Sequence, residues 1–293
     1  MVPDYPHATA VVCHDAGAAN IVIAGLLETG RSDWHAYMRG PAEKLWHAAY
    51  PLIAPSNTLA SALERTELLV TGTGWASDLE HQARRLARSL RVRSVAVIDH
   101  WVNYAARFVR NGETVWPDEF WVTDPYALEI ARQTFPGKPV FQVANHYVEM
   151  QLRAIAGVEK PVVPELLYSL EPIRSDWGRG IPGEFQALDY FVEHLPELCL
   201  PSETVIRLRP HPSESPEKYQ HWIAQHPSLN IQLDDSLGIA QSLGRASWVA
   251  GCESFALVLA LMAGRKVYCT LPPWAPSCRL PHQGLIPIGE SRK

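Results

Sequence analysis

Short apolar runs alternate with amphipathic segments along the chain, and this alternation limits the fold more than any other feature. The runs ATAVVCH (8–14), ELLVTG (67–72) and RSVAVID (93–99) have the length and apolar content of buried strands. Segments with helical periodicity follow the first two runs, as in AANIVIAGLLETG (18–30). Strands that alternate with helices indicate parallel sheets covered by helices on both faces. The sequence therefore predicts an α/β fold class.

The alternation occurs in two blocks, and the length of 293 residues is typical of two domains. We predict two doubly wound, Rossmann-like domains that face each other across a cleft. The first comprises residues 1–144, a hinge comprises 145–164, and the second domain comprises 165–293. KVYCTLP (266–272) is predicted to be the last strand. In the first domain, the helix at 77–90 is predicted to begin with a capping box, in which Ser77 is the N-cap and Glu80 lies three residues later. Asp124 is predicted to cap the helix at 125–135.

Composition excludes several functional classes. The 26 basic and 31 acidic side chains give a net charge of -5, which argues against a nucleic-acid-binding surface. No apolar stretch reaches the roughly 18 residues of a membrane span, and the N-terminus lacks the apolar core of a signal peptide. The five cysteines form no CxxC pair and no metal-type spacing with histidines. We therefore expect a cytoplasmic protein with reduced cysteines; peripheral membrane contact stays open.

The stretch IRLRPHPSE (206–214) ends a predicted strand with polar residues held between prolines. Arg209 offers a planar donor fork that suits phosphate or carboxylate, and His211 is able to donate to a phosphate oxygen. Ser213 adds a hydroxyl in the same turn, so all three are candidates for nucleotide binding. The alternative is that Arg209 pairs with an acid at the edge of the core and His211 is an ordinary loop histidine.

The stretch VAGCESFALVLALMAG (249–264) joins another predicted strand to an apolar helix. Ser254 occupies the N-cap position, where its hydroxyl and the free backbone N–H groups behind it form an anion site. An ordinary capped helix explains Ser254 but leaves Glu253 unexplained. The Glu253 carboxylate is suited to a pair of ribose hydroxyls, so the segment predicts a nucleotide pocket.

In this order, the two motifs resemble the C-terminal half of GT-B-type glycosyltransferases over residues 165–272. The most similar group makes bacterial capsule or surface polysaccharide and includes sialyltransferase-like enzymes with a His-Pro motif. In that group, the His-Pro pair and a serine at a later helix start bind the nucleotide phosphate. The resemblance implies this role for His211 and Ser254, and metal-independent catalysis. The chain ends with GLIPIGESRK (284–293), which leaves little room for the C-terminal helices that in this family usually cross back to the first domain.

The N-terminal half is then expected to hold the acceptor and the catalytic base. The turn CHDAGAAN (13–20) places Asp15 after a strand, where a carboxylate is able to take a proton from an acceptor hydroxyl. His14 and Gly17, in the same turn, are predicted to line the acceptor site. The alternative is that Asp15 only caps the following helix.

A second glycine-rich turn, TGTGWASD (71–78), lacks the full dinucleotide-binding spacing. We interpret Thr73, Gly74 and Trp75 as sugar or acceptor contacts rather than as an NAD site. The alternative is a tight turn without a ligand, because glycine is common in turns.

The segment VIDHWVNYAARF (97–108) is the densest polar and aromatic cluster. Asp99 is a candidate to orient His100 in an acid/base pair, which makes this pair a second candidate for the base. Trp101, Asn103 and Tyr104 suit a sugar, whose C–H faces stack on rings while its hydroxyls take polar partners. The alternative is a structural role, in which Asp99 and Trp101 anchor the loop.

Together these features predict a metal-independent glycosyltransferase with an N-terminal acceptor and catalytic domain and a C-terminal nucleotide-binding domain. Its partners would be a glycan or other hydroxyl acceptor and a nucleotide-sugar, which is a substrate, so no cofactor is expected. The resemblance favours a CMP-linked sugar and surface polysaccharide synthesis, and UDP- or CDP-linked donors stay open. Arg174 and Arg179 are candidates to contact a diphosphate, or belong to a solvated loop. The alternatives are a nucleotide-sugar 2-epimerase or hydrolase of the same fold, or a non-catalytic partner subunit.

Overall fold

The structure is a computed structural model that describes residues 5–173 and 175–289. Arg174, a candidate for diphosphate contact, lies outside the described residues. The chain forms two compact units, Met1–Glu149 and Met150–Lys293, each with its own six-stranded sheet. In the described part of the chain, helices long and apolar enough to cross a membrane are absent.

The N-terminal unit contains a parallel sheet in the order β2-β1-β3-β4-β7-β8, and a separate two-stranded hairpin, β5-β6. A short 3-10 helix, Ala105–Phe108, precedes the hairpin. The strands are β1 (Thr9–Cys13), β2 (His35–Met38), β3 (Leu68–Thr71), β4 (Arg93–Val97), β5 (Val109–Arg110), β6 (Glu113–Thr114), β7 (Glu119–Val122) and β8 (Val140–Gln142). The helices are α1 (Ala16–Leu27), α2 (Pro41–Ala49), α3 (Leu59–Leu63), α4 (Leu79–Leu90), α5 (Pro125–Thr134) and α6 (His146–Ala156), the last of which continues into the next unit.

Both faces of this sheet are buried, as expected for a parallel sheet with short, largely apolar strands. Every residue of β1 is buried, and its side chains alternate between two hydrophobic clusters. Val11 packs with Trp46 and Trp121 on one face, whereas Val12 packs with Leu63 on the other. The strands therefore hold the loops at their carboxyl ends in fixed positions.

The C-terminal unit repeats this design with the strand order β11-β10-β9-β12-β13-β14, all parallel. The strands are β9 (Glu165–Ser169), β10 (Val205–Arg209), β11 (Ile231–Leu233), β12 (Trp248–Gly251), β13 (Lys266–Cys269) and β14 (Leu285–Pro287). The helices are α7 (Gly183–His194), α8 (Gln220–Ala224), α9 (Ile239–Arg245) and α10 (Phe255–Met262), and 3-10 helices occupy Leu195–Leu198 and Pro216–Tyr219. The prediction that KVYCTLP is the last strand is wrong, because β14 pairs with β13.

The start of α5 agrees with the sequence prediction, whereas the start of α4 does not. Asp124 caps α5 as its sequence predicts, with its Oδ1 accepting from Ala127 N at 2.8 Å. The capping box predicted at the start of α4 does not form. The helix begins at Leu79, the Ser77 hydroxyl accepts from Leu79 N, and Glu80 is 2% exposed and turned into the protein.

The strand orders locate the place where each unit is suited to bind a ligand. In an open α/β sheet, ligands bind beyond the carboxyl ends of the strands where the strand order reverses. In the N-terminal unit this point lies between β1 and β3, and in the C-terminal unit it lies between β9 and β12. The turns after these four strands contain many of the residues selected from the sequence.

Candidate functional site

The turn after β1 contains a histidine–carboxylate pair. His14 Nδ1 lies 2.7 Å from Asp15 Oδ1, and both side chains are about a quarter exposed. A carboxylate accepts hydrogen bonds, so Nδ1 carries the proton and the neutral ring presents Nε2 as a base. Nε2 lies against Gly40, where a Cβ atom would stand 2.7 Å from it. The pair therefore has the arrangement of an oriented general base.

Asp15 is fixed by the turn after β3 as well as by the histidine. Its Oδ2 accepts a hydrogen bond from Trp75 N at 2.8 Å, and a Cβ atom at Gly74 would lie 2.3 Å from the same oxygen. Asp15 is the N-cap residue of α1, but its side chain makes no hydrogen bond to that helix. Its carboxylate thus joins the two turns at the reversal of strand order, and helix capping does not account for it.

Glu80 forms a hydrogen bond to the turn after β1, whereas its sequence predicts a role in the capping box of α4. Its Oε1 accepts from His14 N at 2.8 Å, and its Oε2 is buried without a hydrogen-bond partner among the described residues. Burial raises the pKa of Glu80, opposed by the hydrogen bond from His14 N. The sequence offers one indication that Glu80 faces inward: it lies four residues before Arg84, on the same side of α4, and Arg84 is also buried.

Asp99 forms an ion pair with Arg107. Asp99 Oδ1 accepts from Arg107 Nη1 at 3.1 Å, and the arginine side chain is 5% exposed. The same Nη1 donates to the backbone and hydroxyl oxygens of Thr73, which is 1% exposed. A Cβ atom at Gly17 would lie 1.9 Å from Asp99 Oδ2, so this carboxylate covers the start of α1. This cluster holds three loops together.

The aromatic residues predicted to contact a sugar are mostly in the core. Trp101 is 7% exposed and donates from its indole to Asp124, and its backbone N donates to His100 Nδ1. Tyr104 is 3% exposed and stacks on Phe135. The geometry therefore supports the anchoring role for Trp101 and gives no support to sugar contacts by Thr73, Trp101 or Tyr104.

Two of the predicted sugar contacts remain accessible. Asn103 is exposed in a left-handed backbone conformation (φ 60°). The ring of Trp75 is 48% exposed, and the guanidinium groups of Arg107 and Arg110 lie 5.6 and 5.5 Å from its centroid. An exposed ring beside the His14–Asp15 pair is able to stack on the C–H face of a sugar.

At the corresponding edge of the C-terminal unit, a carboxylate occupies the start of α10. Glu171 Oε1 accepts from Glu253 N at 2.7 Å, and the backbone N–H groups of Ser254 and Cys252 also stabilise its charge. Burial raises the pKa of Glu171 to about 7, helped by the charge of Glu253 and opposed by these N–H groups. The helix start thus already holds an acid that is half protonated near neutral pH.

Ser254 is the N-cap of α10, as its sequence predicts, but its hydroxyl makes no capping hydrogen bond to that helix. Ser254 Oγ lies 3.2 Å from Ser169 Oγ, at the end of β9. Two hydroxyl groups from adjacent strand ends therefore lie beside the N–H groups that Glu171 occupies. A phosphate oxygen would find donors of both kinds here.

Glu253 has an internal partner that was not predicted. Its carboxylate forms a salt bridge with Arg279, whose Nε lies 3.1 Å from Oε1, and it accepts from Arg279 N at 3.0 Å. Arg279 is 54% exposed and follows β13 on an irregular loop. The predicted ribose contact by Glu253 requires this ion pair to open or to share its carboxylate.

Arg209, His211 and Ser213 follow β10, one strand away from the reversal. Arg209 Nη1 donates to Asp234 at 2.6 Å and to Ser242 Oγ at 2.8 Å, which matches the alternative of pairing with an acid at the core edge. His211 is exposed and its Nδ1 lies 2.7 Å from Ser213 Oγ. With one strand between them, the ends of β10 and β12 are roughly 10 Å apart. Shared phosphate binding by His211 and Ser254 stays a prediction.

The last two sequence predictions concern Arg179, as a contact for a diphosphate, and metal binding. Arg179 stacks on the ring of Trp274, with its guanidinium carbon 3.8 Å from the centroid. In residues 5–173 and 175–289, no group of three His, Cys, Asp or Glu side chains is placed to hold a metal ion.

Similar solved structures identify the fold. A UDP-GlcNAc 2-epimerase from Methanocaldococcus jannaschii has a TM-score of 0.60 at 13% identity, covering 89% of this chain and 83% of that chain. A UDP-GlcNAc 2-epimerase from Neisseria meningitidis, solved bound to UDP-GlcNAc, has a TM-score of 0.61 at 9% identity, covering 89% and 82%. The glycotransferase of kitacinnamycin has a TM-score of 0.50 at 14% identity, covering 92% and 80%. No family model matches the chain, and no curated protein matches its sequence.

At these identities the likeness shows the fold alone. The prediction of two doubly wound α/β domains of the GT-B type is confirmed. Similarity to the sialyltransferase-like group and the role of its His-Pro motif stay predictions.

Proposed function

We propose that the protein is an enzyme that acts on a pyrimidine-nucleotide-activated sugar and transfers the sugar to a hydroxyl acceptor. The observation that carries the proposal is the oriented His14–Asp15 pair at the strand-order reversal of the N-terminal unit. A base held in this way, beside the exposed ring of Trp75, is what activation of a sugar hydroxyl requires.

In the proposed reaction, His14 Nε2 takes the proton of the acceptor hydroxyl as its oxygen attacks the anomeric carbon of the donor sugar. Asp15 keeps the proton on Nδ1 and stabilises the imidazolium that forms. The bond from the anomeric carbon to the phosphate oxygen breaks, and the nucleotide leaves with the electron pair. This assignment moves the base from Asp15 itself, and from the Asp99–His100 pair, to His14.

The C-terminal unit supports the nucleotide part of the proposal. The N–H groups at the start of α10 and the hydroxyl groups of Ser169 and Ser254 would receive the departing phosphate. Glu171 now occupies these N–H groups and, with its pKa of about 7, gives them up readily when it is protonated. His211 is an additional donor in an exposed loop. The motif resemblance favours a CMP-linked donor, and the neighbour solved with UDP-GlcNAc favours a UDP-linked donor.

A nucleotide-sugar 2-epimerase is the second candidate, because the neighbours with TM-scores of 0.60 and 0.61 are described as UDP-GlcNAc 2-epimerases. An epimerase moves a proton at C2 of the sugar and needs an acid/base group there, a role that the His14–Asp15 pair is also able to fill.

A thermal-shift panel of CMP, CDP, UDP, GDP and ADP tests nucleotide binding. We expect a pyrimidine nucleotide to raise the unfolding temperature, because a ligand at about 100 times its Kd adds about 2.7 kcal/mol of stability. The S254A variant should lose this shift, whereas C199S, at an exposed site outside the proposed pocket, should keep it. If no nucleotide raises the unfolding temperature, the proposal is wrong.

Incubation of the protein with each stabilising donor, with and without hydroxyl acceptors, separates the two candidate reactions. Transfer predicts a glycosylated product that appears only with an acceptor. Conversion of the donor into its C2 isomer without an acceptor would establish the epimerase instead.

A further inference from the structure

Two cysteine thiols of the C-terminal unit meet at one backbone carbonyl. Cys269 Sγ donates to Cys252 O at 3.2 Å, and Cys278 Sγ donates to the same oxygen at 3.9 Å. The Cys269 thiol is also able to donate its single proton to the Cys278 sulfur instead of to Cys252 O. Cys269 is fixed in β13, whereas Cys278 lies on the irregular loop between β13 and β14. One sulfur is therefore held in the sheet and the other is held against it by the loop.

The environment of the pair makes its two sulfurs chemically different. The hydrogen bond from Cys269 lowers the pKa of Cys278 to about 7, against the opposing effect of burial, and Leu280 N and the charge of Arg279 act in the same direction as the hydrogen bond. The same hydrogen bond and burial raise the pKa of Cys269. Cys278 is partly exposed and Cys269 is 5% exposed. The accessible sulfur is thus the one that ionises more readily to the thiolate, which is the form that reacts with oxidants.

We propose that Cys269 and Cys278 are an oxidation site, at which hydrogen peroxide forms a disulfide that fixes the loop segment 270–277. This inference goes beyond the proposed function and does not depend on it.

The chemistry balances with hydrogen peroxide as the oxidant. The Cys278 thiolate attacks one peroxide oxygen, the O–O bond breaks, and the hydroxide that leaves takes up a proton as water. The resulting sulfenic acid is attacked by Cys269 sulfur, which gives up its proton as a second water leaves. Two thiols and one peroxide give one disulfide and two waters.

The loop that the disulfide would fix makes contacts with other parts of the C-terminal unit. Trp274, inside the ring that closes, donates to Gln186 and stacks with Arg179. Arg279 follows Cys278 directly and forms the salt bridge to Glu253 at the start of α10. Oxidation would therefore hold Arg279 beside Glu253.

The sequence permits a direct test on the full chain. Trypsin cleaves after Lys266 and Arg279, so both cysteines lie in one peptide, residues 267–279, whereas Cys252 and Cys199 lie in separate peptides. The protein is treated with increasing hydrogen peroxide at pH 7, denatured, alkylated with N-ethylmaleimide so that buried thiols are also labelled, digested and analysed by mass spectrometry. We expect peptide 267–279 to lose both labels together and to become two hydrogens lighter than the unlabelled dithiol, several-fold faster than Cys199 loses its label. At pH 7 a thiol with a pKa near 7 is about half thiolate, against a few per cent for an ordinary cysteine.

Single-cysteine variants keep the proposal falsifiable. In C269S, Cys278 should stop at the sulfenic acid and be captured by dimedone. In C278S, Cys269 should keep its maleimide label at the same peroxide concentration. The inference is overturned if peptide 267–279 keeps both labels while Cys199 is oxidised, or if oxidation links this peptide to the peptide that contains Cys252.

Discussion

The carboxyl edges of the two sheets carry charged groups in contrasting ways. At the edge of the N-terminal unit, the turn after β3 holds Asp15, and the ion pair of Asp99 with Arg107 is largely buried. At the edge of the C-terminal unit, Glu253 pairs with an exposed arginine, and the Glu171 carboxylate occupies the helix start. At the first edge, the charged side chains hold one another and the loops in place, and we call it the braced edge. At the second edge, they occupy positions that a ligand would have to take over, and we call it the filled edge. Substitutions should therefore affect turnover and stability at the first edge, and affinity at the second.

The largest effect is expected for H14A. Loss of a general base typically lowers the rate 10²- to 10⁴-fold, and the nucleotide-induced thermal shift should not change because His14 belongs to the other unit. Steady-state turnover with a donor and acceptor, measured beside the thermal shift, checks both parts.

H100A is the matched control for this prediction. His100 Nδ1 accepts from the backbone of Trp101, so we expect a loss of turnover of less than about tenfold, below the range typical of a lost general base. A large loss in H100A with little change in H14A would restore the original assignment of the base to the Asp99–His100 pair.

The next largest effect concerns stability at the braced edge. R107M removes one partner of a buried ion pair and leaves Asp99 without its guanidinium, which should cost about 3–5 kcal/mol of unfolding free energy. Urea denaturation measures this change. In R85M, which breaks the exposed contact between Arg85 and Glu113, the change should stay below about 1 kcal/mol. Similar losses in both variants would show that the edge is not braced by the buried pair.

These expectations indicate which features the sequence predicts and why others escape it. The strands predicted within each sheet and the cap of α5 by Asp124 follow from patterns within a few residues, and they form as predicted, whereas the edge strand β14 was not predicted. The Ser77–Glu80 capping box is also a local pattern, but Glu80 forms a hydrogen bond with His14, 66 residues away, which a local pattern cannot anticipate.

The candidate site shows the same limit. The positions of Asp15 and Ser254 at strand ends follow from the alternation of elements. The partner of the neighbouring Glu253 does not follow from it, because Arg279 approaches Glu253 from an irregular loop that has no periodicity. The burial of Tyr104 depends on its stacking with Phe135 from another element. Sequence patterns thus predict the scaffold and the places where function concentrates, but not which polar groups pair with each other.

A smaller effect is expected from G40A, which sharpens the role of the histidine ring. A Cβ atom at Gly40 would lie 2.7 Å from His14 Nε2, so the ring must move and turnover should fall roughly tenfold, since such misplacement costs up to about 100-fold. Gly30 is the control, because it has a similar positive φ (66° against 57°), but a Cβ atom there would meet no atom of the described residues within 4 Å. G30A should lose stability by about 1 kcal/mol and keep its turnover. Equal turnover in the two variants would argue against a catalytic ring beside Gly40.

The smallest effect tests the filled edge through pH. With a pKa of about 7, Glu171 is mostly ionised at pH 8 and mostly protonated at pH 6. A phosphate that takes over the N–H groups of the Glu171 carboxylate favours the protonated acid, so binding takes up a proton and tightens as pH falls. The Kd of a UDP-sugar, whose phosphates do not titrate in this range, should decrease up to about tenfold from pH 8 to pH 6. Isothermal titration calorimetry measures both the Kd and the proton uptake.

E171Q separates this acid from the other titrating groups of the same edge. Its amide keeps the shape of the side chain but has no charge to lose, so the Kd at pH 8 should approach the value that the natural protein reaches at pH 6. Any contribution of His211 is common to both proteins, and the difference between their pH profiles therefore belongs to Glu171. Parallel profiles would mean that the phosphate does not displace this carboxylate, and that the start of α10 is closed by Glu171 as part of the fold rather than kept for a ligand.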